Sequence, residues 1–381
     1  MLRDSRETPA GNGQADYGSS RRRFLGSVAG LAAVGAAGCL GTGGSGGSTT
    51  TNEPRGPTTV EDATGRTVEI PETVEDIVAV GPGMLNLVAY LDATDMVVGV
   101  EEPEHSWAKN IPYNIANPEL RDRQVIGPHN GGDAELIVGA GPDVVVATYF
   151  TAGTASDLQS KIDRPVVVVK AESRPLHRLD RAYEDIEFLA EIIGKHDRAE
   201  TVVDFFESER ETLDELSQGV PDAERPVAYY AGRSDSGGAG VTSTQHPFVP
   251  FSFVNADNAA DAIEGHAEVN EEKLHTWDPE VIFIAGSNLD RVTDALSAET
   301  YANVTAIEEG NLCSLLPTRF YGNLYGNALV DAHYVGSDLY PDAFSDIDLG
   351  ERADEIYQSL FGTAIYDDVT ERMDGLSEIT L

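Results

Sequence analysis

The chain has 381 residues, with 65 acidic side chains against 26 basic ones and a formal net charge of −39 at pH 7. Such a surface repels nucleic acid and anionic lipid, while a hydrophobic content of 41% argues against a disordered acidic chain. Because the acidic residues are spread along the whole chain, the composition is typical of adaptation to molar salt, and we interpret the source as an extreme halophile of archaeal origin.

Residues 1–38 are predicted to be an export signal. An arginine triplet at 21–23 precedes Phe-Leu and an apolar run at 28–37, which is too short to span a bilayer. The arginines resemble the twin-arginine export signal, and Ala-Ala-Gly-Cys at 36–39 resembles a lipobox, in which Cys39 becomes the lipidated N-terminus. At the position three residues before Cys39, this chain has Ala36, which is a weaker lipobox residue than leucine. The prediction of export is therefore better supported than the prediction of lipidation. A buried helix is the disfavoured alternative, since neither caps nor an amphipathic period accompany the run.

Residues 39–59 are predicted to form a flexible tether, because their Gly, Ser and Thr residues cannot bury apolar surface. The motif Gly-Gly-Ser-Gly-Gly at 43–47 formally matches a nucleophile elbow, but no strand precedes it and no helix follows it. We interpret this match as an accident of composition.

Valine-rich runs alternate with helical stretches between residues 60 and 196, the predicted N-terminal lobe. Strands are predicted at 77–80, 97–100, 144–147 and 166–169, and a helix at 84–91. Fully apolar strands that alternate with helices are typical of a parallel sheet covered on both faces, so the predicted fold class is α/β.

Residues 197–218 contain neither Gly nor Pro and carry apolar residues at helical spacing. At about 1.5 Å per residue they predict a helix of roughly 33 Å. The strand and helix pattern then starts again in the predicted C-terminal lobe, 219–381, with strands at 227–230, 281–284 and 312–316 and helices around 271–274 and 290–296. We therefore predict two lobes, each with a mainly parallel sheet, joined by one long helix that discourages wide hinge closure.

The sequence predicts no enzyme, no cofactor and no metal centre. It contains no HExxH, P-loop or Rossmann motif, and no two of its eight histidines fall at ligand spacing. The chain has two cysteines, Cys39 and Cys313. Cys313 lies in a predicted strand, and we expect it to be buried there as a small hydrophobic residue.

Four segments carry a resemblance to a known family. They are a hairpin-like stretch at 62–71; the strand and helix at 77–91; Gly-Asp-Ala-Glu-Leu-Ile at 132–137 ahead of Gly-Pro-Asp-Val-Val at 141–145; and Val-Asn-Glu-Glu-Lys-Leu at 269–274 ahead of Trp-Asp-Pro-Glu-Val-Ile at 277–282. Together they resemble the solute-binding proteins of ABC importers for ferric siderophores, cobalamin and haem, the class III group with two lobes and one linking helix. The resemblance covers roughly residues 60 to 345.

The resemblance implies that Glu135 and Glu272 lie at the tips of the two lobes and pair with arginines of a membrane permease. Two carboxylates at a fixed distance on a rigid body would engage both arginine pockets only when the lobes are correctly spaced. A solvated helix face is the alternative for either glutamate. The implied partners are the permease and its ATPase, and we expect a monomer held by its lipid at the outer face of the cell membrane.

The ligand is expected at loops that follow the strands, because parallel sheets place their binding crevice there. The candidate contacts are Met84, Trp107, His129, Tyr149, Phe150, Arg233, His246, Arg319, Tyr321 and Tyr325. Aromatic rings there would stack on a planar or macrocyclic ligand, and arginines would bind carboxylate or catecholate oxygens. Core packing is the alternative for each aromatic residue, and a backbone hydrogen bond is the alternative for His129.

A chelated metal is the expected ligand, with a ferric siderophore-type complex as the first choice. Cobalamin is the closest alternative. Haem is less favoured because haem-binding relatives usually carry a tyrosine where this chain has Pro128-His129. A bare metal ion is disfavoured by the histidine spacing.

Overall fold

The computed structural model describes residues 58–170, 178–233 and 239–381. The predicted export signal, Cys39 and nearly all of the predicted tether therefore lie outside the described residues. Within these ranges, no helix is both long enough and apolar enough to cross a membrane.

The N-terminal lobe is built on a parallel sheet. Its strands are β1 (Thr58–Glu61), β2 (Thr67–Ile70), β3 (Ile77–Val80), β4 (Val97–Val100), β5 (Gln124–Val125), β6 (Val144–Ala147) and β7 (Val166–Val168). β1 and β2 form a separate antiparallel pair, and the others lie side by side in the order β5-β4-β3-β6-β7, all parallel. β3, β6 and β7 are buried along their whole length, as expected for strands covered on both faces.

Helices surround this sheet and end with a long helix at the position predicted for the linker. They are α1 (Met84–Tyr90), α2 (Glu102–His105), α3 (Pro112–Ala116), α4 (Ala134–Ala140), α5 (Ala152–Ile162), α6 (Leu179–Ile193) and α7 (His196–Ser217). α7 has 22 residues and lies one residue from its predicted range. Ala199, Val202, Phe206 and Leu213 form its buried apolar face.

The C-terminal lobe repeats the same design. Its strands are β8 (Val227–Ala231), β9 (Ser243–His246), β10 (Asp257–Asn258), β11 (Gly265–Glu268), β12 (Val281–Ala285), β13 (Leu312–Leu315) and β14 (Ser377–Glu378), and its helices are α8 (Val249–Phe253), α9 (Glu271–Trp277), α10 (Leu289–Leu296) and α11 (Thr305–Glu309). The main sheet has the order β10-β8-β12-β13-β14, parallel except for β14, while β9 and β11 pair separately. In both lobes the first strand of the main sheet, β3 or β8, lies between two later ones. The predicted α/β fold with two lobes is confirmed.

The last helices join the two lobes, so residues 219–381 do not pack within the C-terminal lobe alone. They are α12 (Tyr325–Leu339), α13 (Leu349–Phe361) and α14 (Tyr366–Arg372). The Gly326 N–H donates to the Tyr90 hydroxyl of α1 (3.2 Å), and the Phe361 ring stacks on Tyr90 at 5.3 Å between centroids. From α7, Arg198 donates to the carbonyl of Ser359 (2.6 Å). A core that is continuous across the lobes limits their independent motion.

Glu209 fixes α7 through a buried cluster of polar side chains. It is 5% exposed and lies 2.9 Å from His333 Nε2 of α12 and 3.2 Å from an Arg352 guanidinium nitrogen of α13. His333 is fully buried. The cluster therefore ties α7 to two helices of the C-terminal segment.

We expect Glu209→Ala to lower the free energy of unfolding by about 3 kcal/mol, because it leaves buried His333 without its acceptor. Glu207→Ala removes an exposed charge from the same helix and should change stability by less than about 0.5 kcal/mol. Chemical denaturation of both variants in one buffer measures the difference. Equal losses in the two variants would contradict the stabilising role of the cluster.

Candidate functional site

β3 and β6 end side by side at the carboxyl edge of the N-terminal sheet, where the ligand crevice is predicted. Gly81 follows β3 with φ of +90°, and a Cβ there would lie 2.6 Å from Thr148 Oγ1. Only glycine combines this backbone angle with so close an approach. Thr148, directly after β6, donates from its hydroxyl to the Pro82 carbonyl (3.0 Å). The ends of two neighbouring strands are thus fixed to each other at the edge where parallel sheets bind ligands.

The C-terminal lobe has the equivalent arrangement. Gly232 follows β8 with φ of +81°, and a Cβ there would lie 2.9 Å from Val292 Cγ2. The side-chain amide of Asn288, just beyond β12, donates to the Gly232 carbonyl (2.8 Å). Arg233 comes next in the chain, so the repeated design places this arginine at the corresponding crevice.

Glu101 connects the loops of the crevice. It follows β4 and is 2% exposed. Its carboxylate accepts hydrogen bonds from the Gly81 N–H (2.7 Å), the Gly131 N–H (3.1 Å) and the Tyr321 hydroxyl (2.7 Å). Burial raises the pKa of Glu101, and the three hydrogen bonds act in the opposite direction. One side chain thus links two loops of the N-terminal lobe to a loop of the C-terminal lobe.

Residues 319–325, the interlobe segment, lie against the N-terminal lobe. The Gly83 N–H donates to the Tyr321 carbonyl (2.9 Å), and the Asn86 side chain donates to the Asn323 carbonyl (3.0 Å). The Trp107 ring meets Tyr321 edge to face, with centroids 4.8 Å apart. These contacts hold the two lobes together at one side of the crevice.

Three exposed aromatic rings lie around this crevice. Trp107 is 47% exposed in a 3₁₀ turn after α2, Tyr149 is 58% exposed after β6, and Phe320 is 36% exposed in the interlobe segment. Trp107 and Phe320 touch edge to face at 5.7 Å. Among the described residues, the other exposed large hydrophobic side chains are Leu136 and Val138 of α4 and the final Leu381. Exposed rings at a cleft are suited to stacking on a ligand.

Arg233 and Arg319 lie at the same edge of the C-terminal sheet. They follow β8 and β13, which flank β12, and strands two positions apart are separated by roughly 10 Å. Both side chains are half-buried, and Arg233 Nε donates to Gln245 Oε1 (2.9 Å). Both predicted cations therefore follow strands at the same edge of the C-terminal sheet, and their role in ligand binding stays a prediction.

Three of the predicted ligand residues are placed in the core. Met84 is fully buried at the start of α1, Phe150 is 8% exposed, and Tyr325 is 3% exposed at the start of α12. Met84 and Tyr325 belong to the large core that spans the lobes, and Phe150 packs with α5 and the N-terminal sheet. We therefore assign these side chains to packing, since they present almost no surface to a ligand.

The two predicted histidines occupy different settings. His129 is exposed in the loop that carries Gly131, whose N–H binds Glu101. His246 ends β9, and its Nδ1 lies 3.2 Å from the Ile263 carbonyl of its own lobe. Within the described residues, no three His, Cys, Asp or Glu side chains are grouped so that they could hold a metal ion.

Glu135 and Glu272 occupy equivalent positions in the two lobes. Each lies exposed in the first turn of its helix, α4 or α9. The helices begin with side-chain caps, from Asp133 and Asn270 respectively. Both carboxylates are therefore accessible to a partner protein, and their docking role stays a prediction.

A second buried carboxyl lies near Glu101. Glu104 is 1% exposed and accepts hydrogen bonds from the Tyr113 hydroxyl (2.9 Å) and the Asn114 side-chain amide. The pKa of Glu104 is raised to about 7, mainly by burial and to a smaller extent by the nearby Glu101 charge, while its hydrogen bonds act in the opposite direction. Both glutamates were missed by the sequence predictions, although Glu101 directly follows a buried strand, which is the signal that identified Arg233.

Comparisons with known proteins identify the fold and the family. The family model described as periplasmic binding protein matches residues 77–317. The curated molybdate-binding protein MolA of Haemophilus influenzae is 28% identical over 337 residues, which cover 82% of this chain and 93% of MolA.

Solved structures share the fold of this chain. MolA bound to molybdate has a TM-score of 0.63 at 24% identity, covering 81% of this chain and 98% of MolA. A periplasmic solute binding protein from Veillonella parvula DSM 2008 has a TM-score of 0.66 at 17% identity, covering 84% and 97%. Helicobacter pylori CeuE with Ni(II) bound has a TM-score of 0.57 at 18% identity, covering 83% and 99%. At these identities the similarity shows the fold.

The raised pKa of Glu104 predicts a pH dependence of stability. Its folded value of about 7 exceeds the value of about 4.3 for an unfolded glutamate, so the folded state binds the proton more tightly. The resulting stabilisation, up to about 4 kcal/mol, is complete below about pH 4.3 and is lost as the pH rises through about 7.

Glu104→Gln should flatten this dependence, because glutamine accepts the same hydrogen bonds without a charge. Denaturation midpoints between pH 5 and 8 measure the effect. Glu102→Gln, on an exposed position of the same short helix, should keep the wild-type slope. Parallel profiles for wild type and Glu104→Gln would contradict the assignment.

Proposed function

Since the chain belongs to the periplasmic binding protein family, the extracytoplasmic solute-binding components of ABC transporters, we propose that it captures an anionic metal chelate of the ferric siderophore type. The chelate would bind in the crevice between the lobes and be delivered to a permease. Cobalamin is the alternative ligand.

The observation that carries this proposal is the placement of Arg233 and Arg319 at one edge of the C-terminal sheet. The chain has a net charge of −39 and only 26 basic residues, so two arginines at one predicted crevice are informative. An arginine binds two oxygens of a carboxylate or catecholate at once, with a geometry that lysine lacks. Two such groups at one edge of the sheet are suited to a ligand that carries several anionic oxygens.

The exposed rings support an organic chelate over a small inorganic ion. Trp107, Tyr149 and Phe320 offer apolar faces on which a catechol or another planar group would stack. MolA is named for molybdate, an ion with no surface for stacking. Cobalamin, with its large macrocycle and nearly neutral charge, would depend on the rings more than on the arginines.

Delivery requires attachment and docking. We propose that lipid on Cys39 and the tether at 39–59 hold a monomer at the outer face of the membrane. Glu135 and Glu272 would then pair with arginines of the permease, whose ATPase drives uptake. Their exposure in equivalent helices of the two lobes supports this role.

We expect Arg233→Ala and Arg319→Ala each to weaken an anionic ferric catecholate complex by about 10- to 150-fold, which corresponds to 1.5–3 kcal/mol for a charge-assisted contact. Arg291→Ala, an exposed position on α10, is the matched control and should bind like wild type. Calorimetric titration of ferric catecholates, cobalamin and molybdate against all variants measures these affinities. If the protein binds cobalamin but no ferric chelate, and if its affinity for cobalamin depends on Trp107 and Tyr149, then cobalamin is the ligand and the ferric chelate is not.

Glu135→Ala and Glu272→Ala should each abolish uptake in cells that carry the importer, while the ligand dissociation constant stays within about twofold of wild type. The carboxylates act on the permease and not on the ligand. Glu207→Ala on α7 should change neither quantity. A tenfold loss of ligand affinity in either docking variant would instead place that residue in the binding site.

A further inference from the structure

We propose that Glu101 is a selectivity residue, whose carboxylate occupies the hydrogen-bond donors at which a small inorganic oxyanion would otherwise bind. The protein would thereby exclude ions such as molybdate and sulfate from the N-terminal side of its crevice. This inference deepens the proposed function, on which it rests for the class of ligand.

The donors around Glu101 form an anion site in their own right. Two are backbone N–H groups of glycines, Gly81 and Gly131, and the third is the Tyr321 hydroxyl. Backbone N–H groups that converge from a turn bind anions in many proteins. Here they converge at 2.7–3.1 Å on an anion that belongs to the chain itself.

The site lies where ligands bind in open parallel sheets. β3 is flanked by β4 on one side and by β6 on the other, and the chain passes from β3 to β4 before it returns to β6. The strand order therefore reverses at β3, and a ligand crevice is expected at the carboxyl ends of these strands. Gly81 and Glu101 are the first residues after β3 and β4, two adjacent strands. Glu101 therefore lies at the position that an anionic ligand group would take.

The consequence differs between ligands. A small oxyanion depends on a few direct donors, and on this side of the crevice it meets a buried carboxylate of like charge in their place. A chelate spreads its charge over a larger surface and can bind the aromatic rings together with Arg233 and Arg319, which follow strands of the C-terminal sheet. Glu101 would thus penalise the small ion far more than the chelate.

Removing the carboxylate should open the anion site to added ions. In Glu101→Ala the three donors lose their acceptor, and molybdate, sulfate or formate should take its place. At an anion concentration about ten times the dissociation constant, the melting temperature should rise by roughly 2–4 °C. Wild type should show no such rise, and calorimetry should give a molybdate affinity at least tenfold higher for Glu101→Ala than for wild type.

Glu102→Ala is the matched control, because it removes the same charge from the exposed neighbouring position. Its response to each anion, compared with that to chloride at equal ionic strength, corrects for general salt stabilisation. Equal responses of Glu101→Ala and Glu102→Ala would overturn the proposal.

The variant itself can lose stability, since it leaves three donors without a partner. If Glu101→Ala does not fold unaided, refolding with formate, sulfate or molybdate replaces the melting test. Recovery of soluble protein with these anions and not with chloride supports the proposal, and failure with all of them overturns it. If the wild-type protein binds no ferric chelate, the proposed function is wrong. If the wild-type protein binds the chelate but added anions do not rescue Glu101→Ala, only the proposed role of Glu101 is wrong.

Discussion

The arrangement of the crevice depends on the buried carboxylate of Glu101. Burying a charge without partners costs several kcal/mol, so this group is tolerated only because Gly81, Gly131 and Tyr321 donate to it. The same three bonds determine where the neighbouring loops lie. The loop after β3, the loop before α4 and the interlobe segment are all held in place by hydrogen bonds to the two carboxylate oxygens of Glu101. The rings of Trp107 and Phe320 depend on it indirectly, because both pack on or beside Tyr321.

This tie restricts how far the lobes can move. α7 is continuous for 22 residues, and Glu209 fixes it to α12 and α13. The C-terminal helices in turn pack against α1 through Tyr90 and Phe361. Wide opening would break the bond between Tyr321 and Glu101 and expose core surface at the same time, so small rocking motions are favoured. A crevice held in this way is largely formed before the ligand arrives, which reduces the ordering cost of binding.

Sequence patterns predicted the central strands well and the site only in part. β3, β4 and β6 coincide with their predicted ranges because buried parallel strands are uniformly apolar. The edge strands β5, β10 and β14 have two residues each, too few for any periodicity. Tyr149 and Phe150 are neighbours in sequence, yet one ring faces solvent and the other the core, a difference that depends on local backbone geometry. Glu101 was not recognised because its partners Gly131 and Tyr321 lie 30 and 220 residues away.

The charge of the chain constrains where selectivity can arise. In dilute salt, a surface with a net charge of −39 repels anions at long range and would slow the approach of an anionic chelate. In molar salt the Debye length is about 3 Å, so this repulsion disappears beyond direct contact. In our proposal, Arg233 and Arg319 would then attract, and Glu101 would repel, only groups that enter the crevice. Recognition of the proposed anionic chelate would then depend on contact geometry within the crevice, and the carboxylates elsewhere on the surface would contribute solubility without weakening its binding.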